Sequence, residues 1–273
     1  MKRDLRNRYG GYALITGASS GIGAEFAAQM AAAGLDLVLV ARRKERLDDL
    51  ADRLTEQHGV ATEVAAVDLA AEDAIAELTR RTEHLDISVL VASAGVVTSG
   101  PFLSQSLAAE SSLLHLDLTV PMQLTHHYGR RLVARRRGAL ILLSSAAGFA
   151  AVPYSANYAA AKAYLASLGQ ALHHELRGTG VDVLTVAPGP TRTEGIENAE
   201  GIDFTRVPLP LMTPDQVVRA SLRRLGRGPL VIPGSANRIS DLIGRHLLTR
   251  RTQTALFGTL VGRALDDHQK GII

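Results

Sequence analysis

The chain has 273 residues, of which 46% are hydrophobic, 21% are charged and 4% are aromatic. This composition is typical of a globular protein and excludes collagen-like, low-complexity and disordered chains. The 30 Lys and Arg side chains exceed the 27 Asp and Glu side chains by only three charges, too few to indicate a nucleic-acid-binding protein. The chain has no cysteine, which excludes disulfides, thiolate catalysis and cysteine-ligated metal sites.

Targeting and membrane signals are weak along the whole sequence. Residues 1–8 are charged and no apolar core follows them, so they do not resemble a signal peptide. The uncharged stretch 139–161 is interrupted by Ser, Gly, Pro and Asn, which favours a strand, a loop and a helix start over a membrane span. We therefore expect a cytoplasmic protein.

Apolar runs alternate with segments of helical periodicity along the chain. The continuous apolar runs are typical of strands buried on both faces of a parallel sheet. Strands are predicted at 12–16, 36–41, 61–67, 87–92, 139–144, 181–187 and 229–232. Helices are predicted at 22–33, 44–57, 71–83, 105–136, 156–177 and 214–225. This alternation predicts a doubly wound α/β fold with right-handed crossovers.

No linker or internal repeat divides the chain, so one domain over 1–273 is predicted, with its core at 10–235. The segment 190–212 is rich in Pro and Gly and is predicted to be a lid. The segment 235–265 is apolar with interspersed Arg residues. It is predicted to be a helical tail that packs on the domain or on a partner subunit, with attachment to a membrane surface as the alternative.

A glycine-rich turn follows the first predicted strand and opens the first helix. Gly17 allows a sharp turn, Gly21 lets the backbone approach a pyrophosphate, and Gly23 lets the helix pack closely on the sheet. The helix N-terminus then presents free N–H groups to phosphates. A nucleotide site is therefore predicted here, formed by Gly17, Ser19, Ser20, Gly21, Ile22 and Gly23.

The second predicted strand is followed by Arg42 and Arg43, without an acidic residue at its end. An acidic residue at this position would bind the ribose hydroxyls of NAD(H), whereas a basic residue favours the 2′-phosphate of NADP(H). The sequence therefore predicts NADP(H).

Three polar residues form a candidate catalytic set. Tyr158 and Lys162 are spaced i, i+4 and share one face of a helix. An ammonium beside a phenol favours the phenolate and helps it to exchange a proton. Ser145 follows the strand 139–144, at the sheet edge where open α/β sheets bind ligands. This chemistry suits proton donation to a carbonyl oxygen while a hydride reaches the carbon.

These segments together resemble the classical short-chain dehydrogenase/reductase family over about residues 10–235. The resemblance implies a Rossmann-type sheet with strand order 3-2-1-4-5-6-7, Tyr158 as general acid/base, Lys162 on the nicotinamide ribose and Ser145 on the carbonyl. It places Asp68 and Leu69 at the adenine and implies a homodimer or homotetramer. The motifs that carry the resemblance are 16–23, Asp68-Leu69, Ala94-Gly95, Ser144-Ser145, Tyr158 to Lys162, and a last group of Pro188, Gly189, Thr191 and Thr193. The resemblance implies that this last group lines the nicotinamide.

Two positions depart from the family pattern. Ser93 stands where the family usually has Asn, and it offers one hydroxyl in place of an amide. Asp117 stands where the family usually has the Asn that completes the catalytic set and holds a relay water. A carboxylate there would strengthen the charge of Lys162 and weaken its effect on Tyr158. We still expect activity to survive.

The sequence thus predicts an NADP(H)-dependent oxidoreductase that reduces a ketone or aldehyde, or runs in reverse. An NAD-dependent alcohol, sugar or steroid dehydrogenase and a cofactor-binding sensor are the alternatives. Adjacent His pairs point in different directions on their helices, so no metal site is predicted, and no nucleic-acid partner is expected. The substrate is predicted to be apolar or acyl-chain-bearing, from Ile196, Phe204, Val207, Leu209, Leu211, Met212, Leu242 and Ile243.

Overall fold

Seven parallel strands form one sheet in the order β3-β2-β1-β4-β5-β6-β7. The strands are β1 Tyr12–Thr16, β2 Asp36–Ala41, β3 Thr62–Ala66, β4 Ile87–Ala92, β5 Gly138–Leu143, β6 Val181–Val186 and β7 Leu230–Val231. The structure is a computed structural model that describes residues 5–197, 206 and 211–265. The predicted doubly wound, Rossmann-type fold and the predicted strands are therefore confirmed.

Helices cover both faces of the sheet. They are α1 Leu5–Tyr9, α2 Gly21–Ala31, α3 Lys44–His58, α4 Ala74–Arg81, α5 Leu107–Leu114, α6 Val120–Arg135, α7 Ala156–Glu175, α8 Glu194–Glu197, α9 Pro214–Arg224, α10 Ser235–His246 and α11 Arg250–Ala264. The helices predicted up to 225 are present, but the segment 105–136 is not one continuous helix. A π-helical turn, His115–Thr119, separates α5 from α6.

Local sequence explains how these helices begin, end and pack. On α3, Leu47, Leu50 and Leu54 are spaced one helical turn apart and are buried against the sheet. The helix ends at Gly59, whose φ of +65° suits glycine. On α9, the N-cap Thr213 and Gln216 form reciprocal hydrogen bonds of a capping box. Apolar layers on both faces of the one sheet give a single domain.

β1 and β4 are neighbours at the centre of the sheet. The direction in which successive strands are added reverses between them. Crossovers leave these two strands toward opposite sides, so a crevice opens at their carboxyl ends. The Thr16 hydroxyl joins the two ends, because it accepts hydrogen bonds from the N–H groups of Ser93 and Ala94 at 3.0 Å each. The fold therefore places the glycine turn and the end of β4 at one edge.

Helix α1 closes the opposite edge and was not predicted from the sequence. Leu5 and Tyr9 are buried, and the Tyr9 hydroxyl donates to Asp182 Oδ2 at 2.7 Å. Arg137 Nε donates to the Arg8 carbonyl at 2.7 Å. Five residues are too few to show helical periodicity, and these contacts join distant parts of the chain. No helix in the described ranges is long and apolar enough to cross a membrane.

Candidate active site

The residues of the predicted catalytic set lie at the carboxyl edge of the sheet. Ser145 follows β5, and Tyr158 and Lys162 lie in the first two turns of α7. The Ser144 hydroxyl joins these elements by donating to the Lys162 carbonyl at 2.7 Å. Gly148 makes close packing possible, because a Cβ there would lie only 2.7 Å from the Lys162 carbonyl carbon. The strand end and the helix are thus held in a fixed relation.

Lys162 is almost completely enclosed, with 5% of its surface exposed. Its Nζ donates to the Leu143 carbonyl at 3.3 Å and lies 2.9 Å from Asp117 Oδ2. The same Nζ lies 5.5 Å from the centre of the Tyr158 ring. A buried ammonium therefore stands beside the phenol, as the i, i+4 spacing predicts.

Asp117 lies in the π-helical turn and is fully buried. Its Oδ1 accepts a hydrogen bond from the Val96 N–H at 2.7 Å. Its Oδ2 has no aligned hydrogen bond from the described residues, so the contact with Lys162 is an ion pair whose oxygen keeps acceptor capacity. A Cβ at Gly95 would lie 3.0 Å from Oδ1, so glycine lets the chain pass this carboxylate. π-helical turns in α-helical segments are frequent at functional sites.

Burial, the Asp117 carboxylate and the Lys162 ammonium shift two pKa values. Burial is the largest influence on Lys162 and lowers its pKa, but the Asp117 carboxylate and Tyr158 together raise it above the ordinary value. Burial also raises the pKa of Tyr158, and Asp117 adds to the increase. Lys162 and a hydrogen bond with Ser145 oppose it without reversing it. Tyr158 is partly buried by residue surface area.

The turn between β1 and α2 fits a dinucleotide phosphate. Gly17 and Gly21 have φ values of +70° and +57°, which favour glycine. A Cβ at Gly23 would lie 2.3 Å from the Gly17 carbonyl oxygen. The N-cap Ser20 makes no side-chain hydrogen bond to the helix, so the first-turn N–H groups face the turn without that cap. The backbone thus forms a cradle that stays open because glycines stand at these positions. Larger side chains there would obstruct it.

The two predicted phosphate-binding arginines differ in their surroundings. Arg43 donates from its NH2 to the Ser19 and Ser20 hydroxyls at 3.0 and 3.1 Å. Arg42 is exposed, without a hydrogen bond or ion pair to the part of the chain that the structure describes. Sequence reasoning missed Arg46, which lies on α3 one turn beyond Arg42 and Arg43. The i+3 and i+4 spacing was the signal that could have indicated it.

The remaining predicted site residues follow β3, β4 and β6. The Asp68 carboxylate is exposed and accepts from the Ala70 N–H at 3.1 Å, while Leu69 is buried. Ala94 and Gly95 follow β4, and Pro188, Gly189, Thr191 and Thr193 follow β6. The Thr193 methyl lies over the glycine turn, since a Cβ at Gly21 would be 3.0 Å from it.

Asn237 of α10 supports this region and was not predicted. Its amide nitrogen donates to the Pro233 carbonyl at 2.9 Å, and the side chain is buried. A Cβ at Gly189 would lie 2.5 Å from its Oδ1, so the tail helix packs directly on the segment after β6. No sequence motif indicates this contact, because it joins residues far apart in the chain.

The residues of the expected apolar lining differ in their exposure. Leu242 and Ile243 lie on α10 and are 59% and 41% exposed. Ile196 and Leu211 are partly buried. Met212 is buried and belongs to an apolar core cluster with Val217 and Val218. Phe204, Val207 and Leu209 of the predicted lid lie outside the described residues.

A sequence model described as short chain dehydrogenase matches residues 11–201. The chain belongs to the short-chain dehydrogenase family. The protein is therefore an oxidoreductase that acts on CH–OH groups with a nicotinamide cofactor and a small-molecule substrate. No group of three or more His, Cys, Asp or Glu side chains in the described ranges could hold a metal ion.

Relatives of this short-chain dehydrogenase include enzymes named as 7beta-hydroxysteroid dehydrogenases. It is 31% identical over 239 residues to the 7beta-hydroxysteroid dehydrogenase of Collinsella aerofaciens, covering 87% of this chain and 91% of the relative. A solved 7beta-hydroxysteroid dehydrogenase superposes with a TM-score of 0.85 at 29% identity, covering 93% and 99% of the two chains. A short-chain dehydrogenase from Sphingobium yanoikuyae in complex with NADPH superposes with a TM-score of 0.79 at 38% identity, covering 86% and 93%.

Proposed function

We propose that this short-chain dehydrogenase uses NADP(H) to interconvert a ketone or aldehyde and the corresponding alcohol, with Ser145, Tyr158 and Lys162 as catalytic residues. One observation carries the proposal. The ammonium of a nearly enclosed lysine lies 5.5 Å from the ring of a partly buried tyrosine, and that tyrosine lies beside Ser145, which follows β5. One carbonyl oxygen could thus meet Tyr158 as the acid and Ser145 as a hydrogen-bond donor, with Lys162 as the stabilising charge.

In the reductive direction, the Ser145 hydroxyl donates a hydrogen bond to the carbonyl oxygen and orients it. The Tyr158 hydroxyl donates its proton to the same oxygen, which becomes the alcohol hydroxyl. The Lys162 ammonium stabilises the phenolate that remains on Tyr158. A reduced nicotinamide held at this edge would supply the hydride that the carbonyl carbon accepts. In the oxidative direction, the Tyr158 phenolate takes the hydroxyl proton, and an oxidised nicotinamide would accept the hydride.

Asp117 acts as a positioning residue in this proposal. Its carboxylate holds Lys162 in the charged form and fixes the ammonium 2.9 Å from Oδ2. The same charge disfavours the Tyr158 phenolate. Asp117 therefore strengthens the stabilising charge while it opposes deprotonation of the acid.

The preference for NADP(H) over NAD(H) is supported by Arg43 at the carboxyl end of β2. Its guanidinium lies against the hydroxyls of Ser19 and Ser20 in the glycine turn. A guanidinium and two hydroxyl donors suit the three acceptor oxygens of a phosphate. The predicted contribution of Arg42 rests on its place in the sequence alone. An NADPH complex of a relative with the same fold also supports the preference.

The substrate is proposed to be a ketone on a bulky apolar framework. Apolar side chains on the segment after β4 are exposed, with Val96 at 39%, Phe102 at 51% and Leu103 at 95%. Val96 is directly linked to the site, because its N–H donates to Asp117. The relative named for hydroxysteroids supports the same class of substrate. The homodimer or homotetramer and the cytoplasmic location remain predictions.

Turnover with a ketone panel tests the proposal. The panel holds oxo-steroids, aryl ketones, short aldehydes and 3-oxoacyl thioesters, and loss of reduced-nicotinamide absorbance is followed with NADPH and NADH. Tyr158→Phe is measured beside the wild type, and Tyr164→Phe is the control on the same helix. We expect Tyr158→Phe to reduce kcat by about 100- to 10,000-fold without weakening NADPH binding.

Other outcomes would contradict parts of the proposal. Equal turnover by wild type and Tyr158→Phe would overturn the assignment of the acid. Faster turnover with NADH would favour the NAD-dependent alternative. NADPH binding without turnover of any panel member would favour a cofactor-binding sensor.

A further inference from the structure

Glu194 of α8 lies between two arginines of the β2–α3 region. Its Oε2 accepts a hydrogen bond from Arg43 NH1 at 2.8 Å, and its Oε1 contacts Arg46 NH1. The remaining donors of Arg43 point to the Ser19 and Ser20 hydroxyls. An acidic side chain from the segment after β6 therefore sits among the donors proposed for the cofactor phosphate.

Carboxylate and phosphate monoester have the same recognition chemistry. Both are oxyanions that accept paired hydrogen bonds from guanidinium forks. The two arginines lower the pKa of Glu194 to about 2, so this side chain is an anion throughout the physiological pH range. Arg43 donates to it from a single NH1 and is 42% exposed, so a phosphate can reach the same guanidinium. The Glu194 carboxylate must therefore leave the two guanidinium groups before a phosphate binds in its place.

We propose that Glu194 holds Arg43 and Arg46 as an internal competitor and that a 2′-phosphate displaces it from them. This inference rests on the proposed use of NADP(H). Glu194 is then a specificity-determining residue, because only a cofactor with a 2′-phosphate must break its ion pairs. A cofactor with a 2′-hydroxyl leaves those pairs in place. Arg46 becomes a second phosphate-binding arginine.

Open space adjoins Arg46, and displacement of Glu194 reaches the glycine turn. A cavity of about 510 Å³, lined by Ser19, Arg46, Asp49, Asp52 and Arg53, opens beside the arginines. Next to Glu194 in the chain, Thr193 places its methyl over Gly21. Release of Glu194 therefore frees a segment that lies over the pyrophosphate cradle.

Glu194→Gln tests the competition, because it keeps the shape of the side chain and removes the charge. Glu197→Gln is the matched control, since Glu197 is an exposed acid at the other end of the same short helix. Titration calorimetry measures the binding of NADPH, NADH and adenosine 2′,5′-bisphosphate to wild type and both variants. Exposed ion pairs contribute modestly, so Glu194→Gln is expected to tighten NADPH and the bisphosphate about three- to tenfold. NADH affinity and the control are expected to stay within about twofold.

Two results would overturn the inference. Weaker NADPH binding by Glu194→Gln would mean that Glu194 organises Arg43 for the phosphate, and equal changes for NADPH and NADH would mean that it does not act on the 2′-position. Arg46→Ala provides a second test. If Arg46 binds the 2′-phosphate, this variant should bind the bisphosphate more weakly and NADH with unchanged affinity. A wild type that binds NADPH and NADH equally would instead refute the proposed cofactor preference, and the competition with it.

Discussion

The carboxylate of Asp117 lies 2.9 Å from the ammonium of Lys162, and both side chains are buried. This ion pair sets the charge beside Tyr158. Asp117 raises the pKa of Lys162 and also raises the pKa of Tyr158. A neutral amide at this position would not raise either pKa by its charge. Asp and Asn at position 117 therefore differ in how they set the pKa values of Lys162 and Tyr158.

Asp117→Asn is expected to move the pH profile of turnover toward lower pH. Tyr158 must be protonated to reduce a carbonyl and deprotonated to oxidise an alcohol. Because the carboxylate raises the pKa of Tyr158, its removal lowers that pKa. Reduction should then decline, and oxidation should rise, at lower pH than in the wild type.

Initial rates in both directions across a range of pH measure this shift. Glu63→Gln, a change of an exposed acid on β3, is the control for the general effect of one lost charge. Profiles that coincide for wild type and Asp117→Asn would contradict the electrostatic role of Asp117, whatever the change in kcat.

Asp117→Ala is expected to destabilise the fold by about 3–5 kcal/mol, because it leaves a buried ammonium without its partner. The Val96 N–H also loses its acceptor. Asp117→Asn keeps that acceptor and should cost less. Urea unfolding measures these free energies, and replacing Lys162 by Met in the Asp117→Ala background should recover part of the loss. A cost below about 1 kcal/mol would show that Lys162 finds another partner.

Gly23→Ala is expected to weaken NADPH binding at least about tenfold, since free N–H groups at the helix start bind the phosphates. The new Cβ would lie 2.3 Å from the Gly17 carbonyl oxygen, so the turn must shift. Gly59→Ala is the matched control, because Gly59 has φ +65° with nothing within 4 Å of an added Cβ. It should cost about 1–2 kcal/mol of stability without changing NADPH affinity. Equal NADPH affinities for both variants would contradict phosphate binding at the glycine turn.

Local patterns made much of this fold predictable. Continuous apolar runs identified the strands because a parallel sheet buries both faces of each strand. The i, i+4 spacing of Tyr158 and Lys162 sufficed to place them together, since α7 is a regular helix. Glycine spacing identified the turn because backbone geometry there excludes larger residues.

Contacts between distant segments were not predictable in the same way. The contact of Glu194 with Arg43 joins residues 151 positions apart, and no periodicity encodes it. The π-helical turn at Asp117 also escaped prediction, because its sequence continues the apolar pattern of the flanking helices. Helix α1 is too short to be recognised without its partners, Asp182 among them.

Arg43→Ala is expected to reduce kcat/KM with NADPH by about 10- to 100-fold, the range for hydrogen bonds to a charged group. The value with NADH should change little, because the 2′-hydroxyl carries no charge for Arg43 to neutralise. Arg42→Ala is the matched control, since Arg42 precedes Arg43 and is exposed without a hydrogen bond or ion pair to any described residue. Its effect should be smaller than that of Arg43→Ala.

Steady-state kinetics with both cofactors, on the same ketone, separate the two arginines. A uniform loss with NADPH and NADH would mean that Arg43 acts through the Ser19 and Ser20 hydroxyls, to which it donates at 3.0 and 3.1 Å, and so holds the glycine turn in shape. Arg43→Lys resolves that case, because a single ammonium keeps the positive charge but cannot reach the phosphate and both serines as a planar fork does. Retention of NADPH preference in Arg43→Lys, at reduced affinity, would assign the preference to charge.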